Sequence, residues 1–142
     1  MSRFNSDLQA ITRCAKQFRT ERMAAHGLKG FHTGYLSRIC NNPGISQDQL
    51  AKNMLVDKST VARQAAVLED SGFITRTPSA KDKRVLQLYP TEKALSLLPE
   101  IRKTVEAWDT IVSEGLTAEE LETLTQLLYR VRLNAAKWME EK

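Results

Sequence analysis

Two helix-start signals lie close together in residues 44–72, GISQDQLAKNMLVDKSTVARQAAVLEDSG. In the first, Ser46 precedes Gln49 by three residues. This is the spacing of a capping box, whose two side chains bond the backbone N–H groups that the start of a helix leaves unpaired. In the second, Asp57 can cap a longer helix that ends near Gly72. Two short helices joined by a tight turn predict a helix-turn-helix.

Two β-rich segments follow these helices, FITRT at residues 73–77 and RVLQLY at residues 84–89. Each has the length and composition of a strand, and the polar segment PSAKDK between them is typical of a hairpin turn. A helix-turn-helix followed by such a hairpin is a winged helix-turn-helix. We place this winged region at residues 30–90.

Amphipathic helices are predicted on both sides of the winged region. Apolar residues recur at spacings of four and three from Phe4 to Phe18, which is typical of one helical face. Two more helices follow residue 90, and a capping box of Thr117 and Glu120 opens the second. Pro99 should kink the first of them or force a restart. The predicted fold class is therefore mainly α with a small β-hairpin wing and long N- and C-terminal helices.

The apolar faces of the terminal helices have no sheet or third layer to cover them in so small a protein. Long helices in this position usually pack against each other and against a second subunit. We therefore expect residues 1–29 and 91–142 to form the dimerisation region of a homodimer, within one structural domain overall. The alternative is a monomer whose terminal helices wrap around the core.

The composition is typical of a globular protein, with 42% hydrophobic and 27% charged residues. No apolar run approaches the roughly 18 residues of a membrane span, and the start of the chain lacks the apolar stretch of a signal peptide. We expect a cytoplasmic protein with reduced cysteines. Residues 1–45 hold seven basic and two acidic side chains, whereas residues 90–142 hold seven basic and ten acidic ones. This distribution permits a nucleic-acid partner without requiring one.

The helix that Asp57 caps has an outward face unlike that of a merely solvated helix. On a helical wheel, Val61, Ala65 and Leu68 form its buried stripe. The opposite face mixes hydrogen-bonding groups with small apolar side chains, which lets a backbone approach the floor of the DNA major groove. The residues that we expect to contact DNA there are Lys58, Ser59, Thr60, Arg63 and Gln64, together with Ser46 and Gln47 at the start of the preceding helix.

Three of these residues have more specific expectations. Lys58 should face a phosphate, as should the N–H groups at the helix start. Arg63 suits a guanine edge or a phosphate. Gln64 lies on the flank, between the buried stripe and the outward face. The alternative is a surface helix of a protein-interaction module, although such a helix should be apolar or acidic.

The predicted hairpin gathers four cations, Arg76, Lys81, Lys83 and Arg84, around a single acidic residue, Asp82. Asp82 and Arg84 are two residues apart, so the carboxylate can hold the guanidinium in one orientation. The narrow minor groove of A/T-rich DNA attracts such an arginine. We therefore expect the wing to contact the minor groove, the alternative being an ordinary solvated turn.

The run from residue 44 to residue 94 resembles the winged helix core of the MarR (multiple antibiotic resistance regulator) family. Its DKR element at residues 82–84 and the following LQLYPTEKA resemble that family's Asp-x-Arg wing signature and its lead into a long fifth helix. LTAEELETLTQLLYRV, residues 116–131, resembles the family's last helix. The resemblance thus covers nearly the whole chain.

The resemblance implies a sequence-specific, homodimeric transcriptional regulator, usually a repressor, on a pseudo-palindromic operator. It matches Ser59, Thr60, Arg63 and Gln64 to positions that contact the major groove, and Arg84 and Asp82 to the minor-groove arginine and its partner. Many relatives release DNA when a small phenolic or hydrophobic compound, or an oxidant, binds between the dimerisation and DNA-binding regions.

The sequence evidence for effector-binding and redox residues is weaker than that for DNA contacts. His32 and Tyr35, with His26, are candidates for lining an effector pocket, although each is more often an ordinary packing or surface residue. Cys14 is a candidate redox sensor, but ITRCAKQF fits poorly the aromatic-rich context of the family's peroxide sensors. A half-buried, inert cysteine is therefore favoured there, and Cys40 is expected to be structural.

Catalysis has little support in this sequence. It contains no glycine-rich phosphate loop, no metal-ligand spacing of Cys and His, and no nucleophile beside a plausible base. We therefore expect no enzymatic activity, metal or cofactor.

Overall fold

The computed structural model describes residues 2–142, which form six α-helices, one 3-10 turn and three β-strands. In chain order these are α1 (Arg3–Met23), the 3-10 turn (Ala24–His26), α2 (His32–Asn41), β1 (Ile45–Ser46), α3 (Gln47–Met54), α4 (Lys58–Asp70), β2 (Ile74–Pro78), β3 (Leu86–Pro90), α5 (Glu92–Val112) and α6 (Ala118–Glu140). The predicted fold class, mainly α with a small wing, is confirmed.

The helix-turn-helix consists of α3 and α4, and both predicted caps are present. Ser46 Oγ accepts from the backbone N–H of Gln49, and Gln49 Oε1 accepts from that of Ser46, each at 3.0 Å. Asp57 Oδ2 accepts from the backbone N–H of Thr60 at 2.9 Å. Leu55 adopts a left-handed φ of 56°, which ends α3 abruptly and leaves three residues before α4 begins.

The wing is an antiparallel sheet in the order β1-β3-β2. The hairpin of β2 and β3 was predicted, with boundaries one or two residues away from those observed. The two-residue strand β1 was not predicted, because so short a segment has no periodicity to detect. It pairs Ile45 with Leu88 and thereby attaches the start of α3 to the wing.

A single apolar cluster holds these elements together. The predicted stripe of α4, Val61, Ala65 and Leu68, is buried in it. Other fully buried members come from every neighbouring element: Met23, Leu36, Ile39, Leu50, Phe73, Ile74, Leu88 and Ile101. Because one side of α4 is fixed in this way, its opposite side faces solvent.

Pro99 lies inside α5, which is one helix from Glu92 to Val112. The predicted restart is therefore absent. A proline inside a helix costs about 3 kcal/mol. The burial of Leu97, Leu98 and Ile101 on either side of it offsets that cost.

The chain divides into two compact units, one ending at Trp108 and the other running from Asp109 to Lys142. The second unit is mostly α6, whose predicted capping box is present between Thr117 and Glu120. Its large apolar side chains, which include Leu121, Leu124 and Leu128, are all exposed. No helix within residues 2–142 is both long and apolar enough to cross a membrane.

Candidate nucleic-acid interface

Three polar residues spaced three apart form a chain of hydrogen bonds on the first turns of α4. Thr60 Oγ1 donates to Asp57 Oδ1 at 2.7 Å, and Arg63 Nη2 donates to Thr60 Oγ1 at 3.1 Å. The hydroxyl and the backbone N–H of Thr60 hold the pKa of Asp57 below its ordinary value. A carboxylate thus anchors an exposed guanidinium through one hydroxyl group.

Lys58 and Ser59 are exposed beside this chain, at the start of α4. Lys58 Nζ lies 3.5 Å from Asp48 Oδ2 on α3, and both side chains are well exposed. A surface ion pair of this kind contributes about 0–1 kcal/mol. Lys58 can therefore exchange this carboxylate for a phosphate at little cost.

At the tip of the wing, Asp82 and Arg84 form the predicted ion pair. Arg84 Nε and Nη2 donate to Asp82 Oδ1 and Oδ2 at 3.1 and 3.2 Å, and the backbone N–H of Arg84 also donates to Oδ1 at 3.0 Å. Arg84 holds the pKa of Asp82 below its ordinary value. The Arg84 side chain is nevertheless 91% exposed, and Lys81 and Lys83 are exposed beside it.

Comparison with known proteins agrees with this architecture. Residues 32–86 match the sequence profile of the MarR family. The HTH-type transcriptional regulator YybA of Bacillus subtilis is 43% identical over 100 residues, which cover 70% of this chain and 67% of that protein. A crystal structure of MarR is 30% identical, with a TM-score of 0.85 over 100% of this chain and 99% of that one.

The chain belongs to the MarR family. Members of this family are transcriptional regulators and not enzymes. A further similar structure is a MarR family regulator from Listeria monocytogenes in complex with a 26-mer DNA. It is 29% identical, with a TM-score of 0.92 over 98% of this chain and 93% of that one.

At the root of the wing of this MarR family protein, the Arg76 side chain bonds to other side chains of the same chain. Arg76 Nε and Nη2 donate to Glu69 Oε1 at 3.3 and 3.1 Å, and Nη1 donates to Gln47 Oε1 at 3.2 Å. The backbone N–H of Arg76 donates to Glu69 Oε2 at 3.1 Å. The start of α3, the end of α4 and strand β2 are thereby tied together. The sequence offered no signal for this network, because Glu69 and Arg76 lie on either side of a turn.

Three of the predicted DNA-contact residues, Arg76, Gln47 and Ser46, already have hydrogen-bond partners within the protein, and their contact with DNA stays a prediction. The Arg76 side chain is only 23% exposed and is neutralised by Glu69. The Gln47 amide oxygen already accepts from that arginine. Ser46 is buried, and its Oγ accepts from the backbone N–H of Gln49 in the capping box. These three side chains therefore also hold the start of α3 and the root of the wing in place.

Gln64 occupies the predicted flank of α4 and contacts a candidate effector residue. His32 Nδ1 accepts from the backbone N–H of Lys29 at 3.2 Å, so its proton belongs on Nε2, which lies 3.0 Å from Gln64 Oε1. Burial is the main cause that lowers the pKa of His32, whereas the bond to Gln64 opposes it. The imidazole of His32 thus joins α2 to α4.

Tyr35, the other candidate effector residue, is a core residue that is 4% exposed. Burial raises the pKa of its phenol, and the negative charge of Asp57 adds to the effect. His26, in contrast, is exposed in the 3-10 turn.

The two cysteines differ in exposure. Cys14 is exposed on α1, so the expectation of a half-buried side chain was wrong. Its neighbour Ala15 occupies the buried face, and adjacent helical residues point about 100° apart. Cys40, which was expected to be structural, is buried, and burial raises the pKa of its thiol.

Proposed function

We propose that this MarR family regulator binds double-stranded DNA, with α4 in the major groove and the tip of the wing in the minor groove. The observation that carries the proposal is the pair of exposed arginines, Arg63 and Arg84. One stands on the first turns of α4 and the other at the wing tip, and each is oriented by a carboxylate. Arginines that interact only with solvent do not require carboxylates to fix their orientation.

The chemistry of α4 supports entry into the major groove by its N-terminal half. Lys58 and the N–H groups at the helix start favour a phosphate. Ser59 and Arg63 then lie within reach of base edges, and the small side chains of Ala62 and Ala66 permit a close approach. The acidic end of the helix, at Glu69 and Asp70, would be directed away from the DNA backbone.

The chemistry of the wing supports a minor-groove contact. The guanidinium of Arg84 is almost fully solvated, so its transfer into a narrow groove breaks few protein contacts. Asp82 limits the directions in which it can point. Lys81 and Lys83 add positive charge beside it, where both flanking phosphate strands would pass.

We further propose that the protein acts in the cytoplasm as a homodimeric repressor on a pseudo-palindromic operator. The exposed apolar side chains of α6 support a second subunit, because an apolar helical face of this length is rarely left in water. Family membership supports repression and its relief by a small phenolic or hydrophobic effector. The contact between buried His32 and Gln64 of α4 supports such coupling, because a molecule that separated these two side chains would displace α4.

The test is in vitro selection of random duplexes by the full chain, followed by affinity measurements between 50 and 200 mM salt. We expect an enriched inverted repeat with half-sites about one helical turn apart, roughly 34–36 Å. The logarithm of the binding constant should fall with the logarithm of salt concentration, with a slope of about −0.9 per neutralised phosphate. A flat salt response without an enriched sequence would instead indicate a protein-interaction module.

A further inference from the structure

The hydroxyl group of Thr60 is almost fully committed within the protein. A hydroxyl has one proton to donate and two lone pairs to accept with. The proton of Thr60 goes to Asp57 Oδ1 at 2.7 Å, and one lone pair accepts from Arg63 Nη2 at 3.1 Å. Thr60 therefore has no proton left to donate to a base, although its residue type and position suggested a direct contact.

Asp57 and Thr60 together act on Arg63. The ionised carboxylate polarises the hydroxyl, which makes its oxygen a better acceptor for the guanidinium. The three residues are spaced three apart, so they lie along one side of α4. An exposed arginine normally samples many rotamers. Here one of its terminal nitrogens is fixed to the helix that carries it.

Resting on the proposed DNA-binding function, we infer that Thr60 is a positioning residue that acts through Arg63 and sets the preference of the regulator for guanine. Anchoring of Nη2 leaves the other N–H groups of the guanidinium as an oriented set of donors. Guanine offers the matching pair of acceptors in the major groove, N7 and O6. Adenine offers an acceptor and a donor at the same places, and the donor would repel the arginine.

The test uses the duplex that the wild-type chain selects. Within that duplex, the position to examine is the base pair whose replacement changes the affinity of the wild type but not that of the Arg63→Ala variant. At that position the wild type should prefer G over A by about five- to one-hundred-fold. Thr60→Val keeps the shape of the side chain and the Asp57 bond to the backbone N–H of residue 60, but removes the hydroxyl. We expect it to reduce the G-over-A preference at this one position to about twofold or less.

Two further variants test whether Thr60 acts through its hydroxyl group and through Arg63. Thr60→Ser retains the hydroxyl and should retain the preference. In the Arg63→Ala background, Thr60→Val should have no further effect on affinity or specificity, because a residue that acts only through Arg63 has nothing left to act on. Thermal unfolding of each variant serves as the control, and Thr60→Ala replaces Thr60→Val if the valine disturbs the helix.

The possible outcomes separate the inference from the proposed function. If the wild type selects a duplex but Thr60→Val preserves the guanine preference, Thr60 does not position Arg63. If Thr60→Val changes the preference at a different base pair, or its effect adds to that of Arg63→Ala, Thr60 contacts DNA directly. If the wild type selects no duplex, the proposed function and this inference both fail.

Discussion

Arg76 and Arg84 belong to the same hairpin and carry the same charge, but their surroundings give them different roles. Arg76 is largely covered and paired with Glu69, whereas Arg84 is 91% exposed. The pairing of Asp82 with Arg84 was predictable, because the two residues are close in sequence. The pairing of Arg76 with Glu69 was not, because it depends on how the end of α4 packs against β2.

Replacement of Arg84 tests the wing at the level of one residue. Arg84→Ala should weaken binding to the selected duplex by about 1–3 kcal/mol if the guanidinium enters the minor groove. The salt slope should become shallower if the same group also neutralises a phosphate. Fluorescence anisotropy with labelled duplex measures both quantities.

The matched control for Arg84 is Arg76→Ala, which removes the same charge from the same hairpin. It should lower the free energy of unfolding, because it leaves Glu69 without its partner. Arg84→Ala should leave that free energy nearly unchanged, since exposed ion pairs contribute little. Unchanged DNA affinity in Arg84→Ala would remove the wing tip from the interface.

Individual elements differ in how well they could be predicted from the sequence. The caps of α3, α4 and α6 and the buried stripe of α4 follow from residues three or four apart, so local spacing was sufficient. Strand β1 and the bond between Gln47 and Arg76 depend on partners 29 or more residues away. The contact between His32 and Gln64 spans 32 residues. Local patterns carry no information on such pairs.

The His32–Gln64 contact joins α2 to α4 and predicts a pH dependence of stability. Burial lowers the pKa of His32 from its ordinary value of 6.5. As the pH falls below 6.5, the unfolded chain therefore takes up a proton that the folded chain does not, and the free energy of unfolding decreases. The decrease stops once the pH is below the folded pKa. Denaturant unfolding between pH 7.5 and pH 5 measures the effect.

Substitution of the two histidines assigns this pH dependence. His32→Gln should remove most of it, and His26→Gln, at the exposed histidine, is the matched control. Asp57 and Asp82 do not interfere, since hydrogen bonds lower the pKa of each carboxyl further from this pH range. A pH dependence that survives His32→Gln would show that another group is responsible.

At the scale of the whole molecule, charge and apolar surface are distributed unevenly along the chain. The first 45 residues are basic, whereas residues 90–142 are acidic and include α6 with its exposed leucines. A DNA-binding protein gains from keeping acidic side chains out of the groove. A helix with exposed leucines outside the winged region is in turn suited to join subunits. The uneven distribution thus agrees with a division between DNA binding and dimerisation.

A charge placed on the apolar face of α6 should separate the proposed dimer. Leu124→Glu removes an apolar side chain worth about 1.5–3 kcal/mol when buried, and two-fold symmetry makes the change occur twice. We expect sedimentation velocity to show a monomer at micromolar concentration, with weakened binding to the full inverted repeat. Gln126→Glu adds the same charge about 200° around the helix, so it should remain dimeric. A Leu124→Glu variant that stays dimeric and binds normally would exclude this face of α6 as the subunit interface.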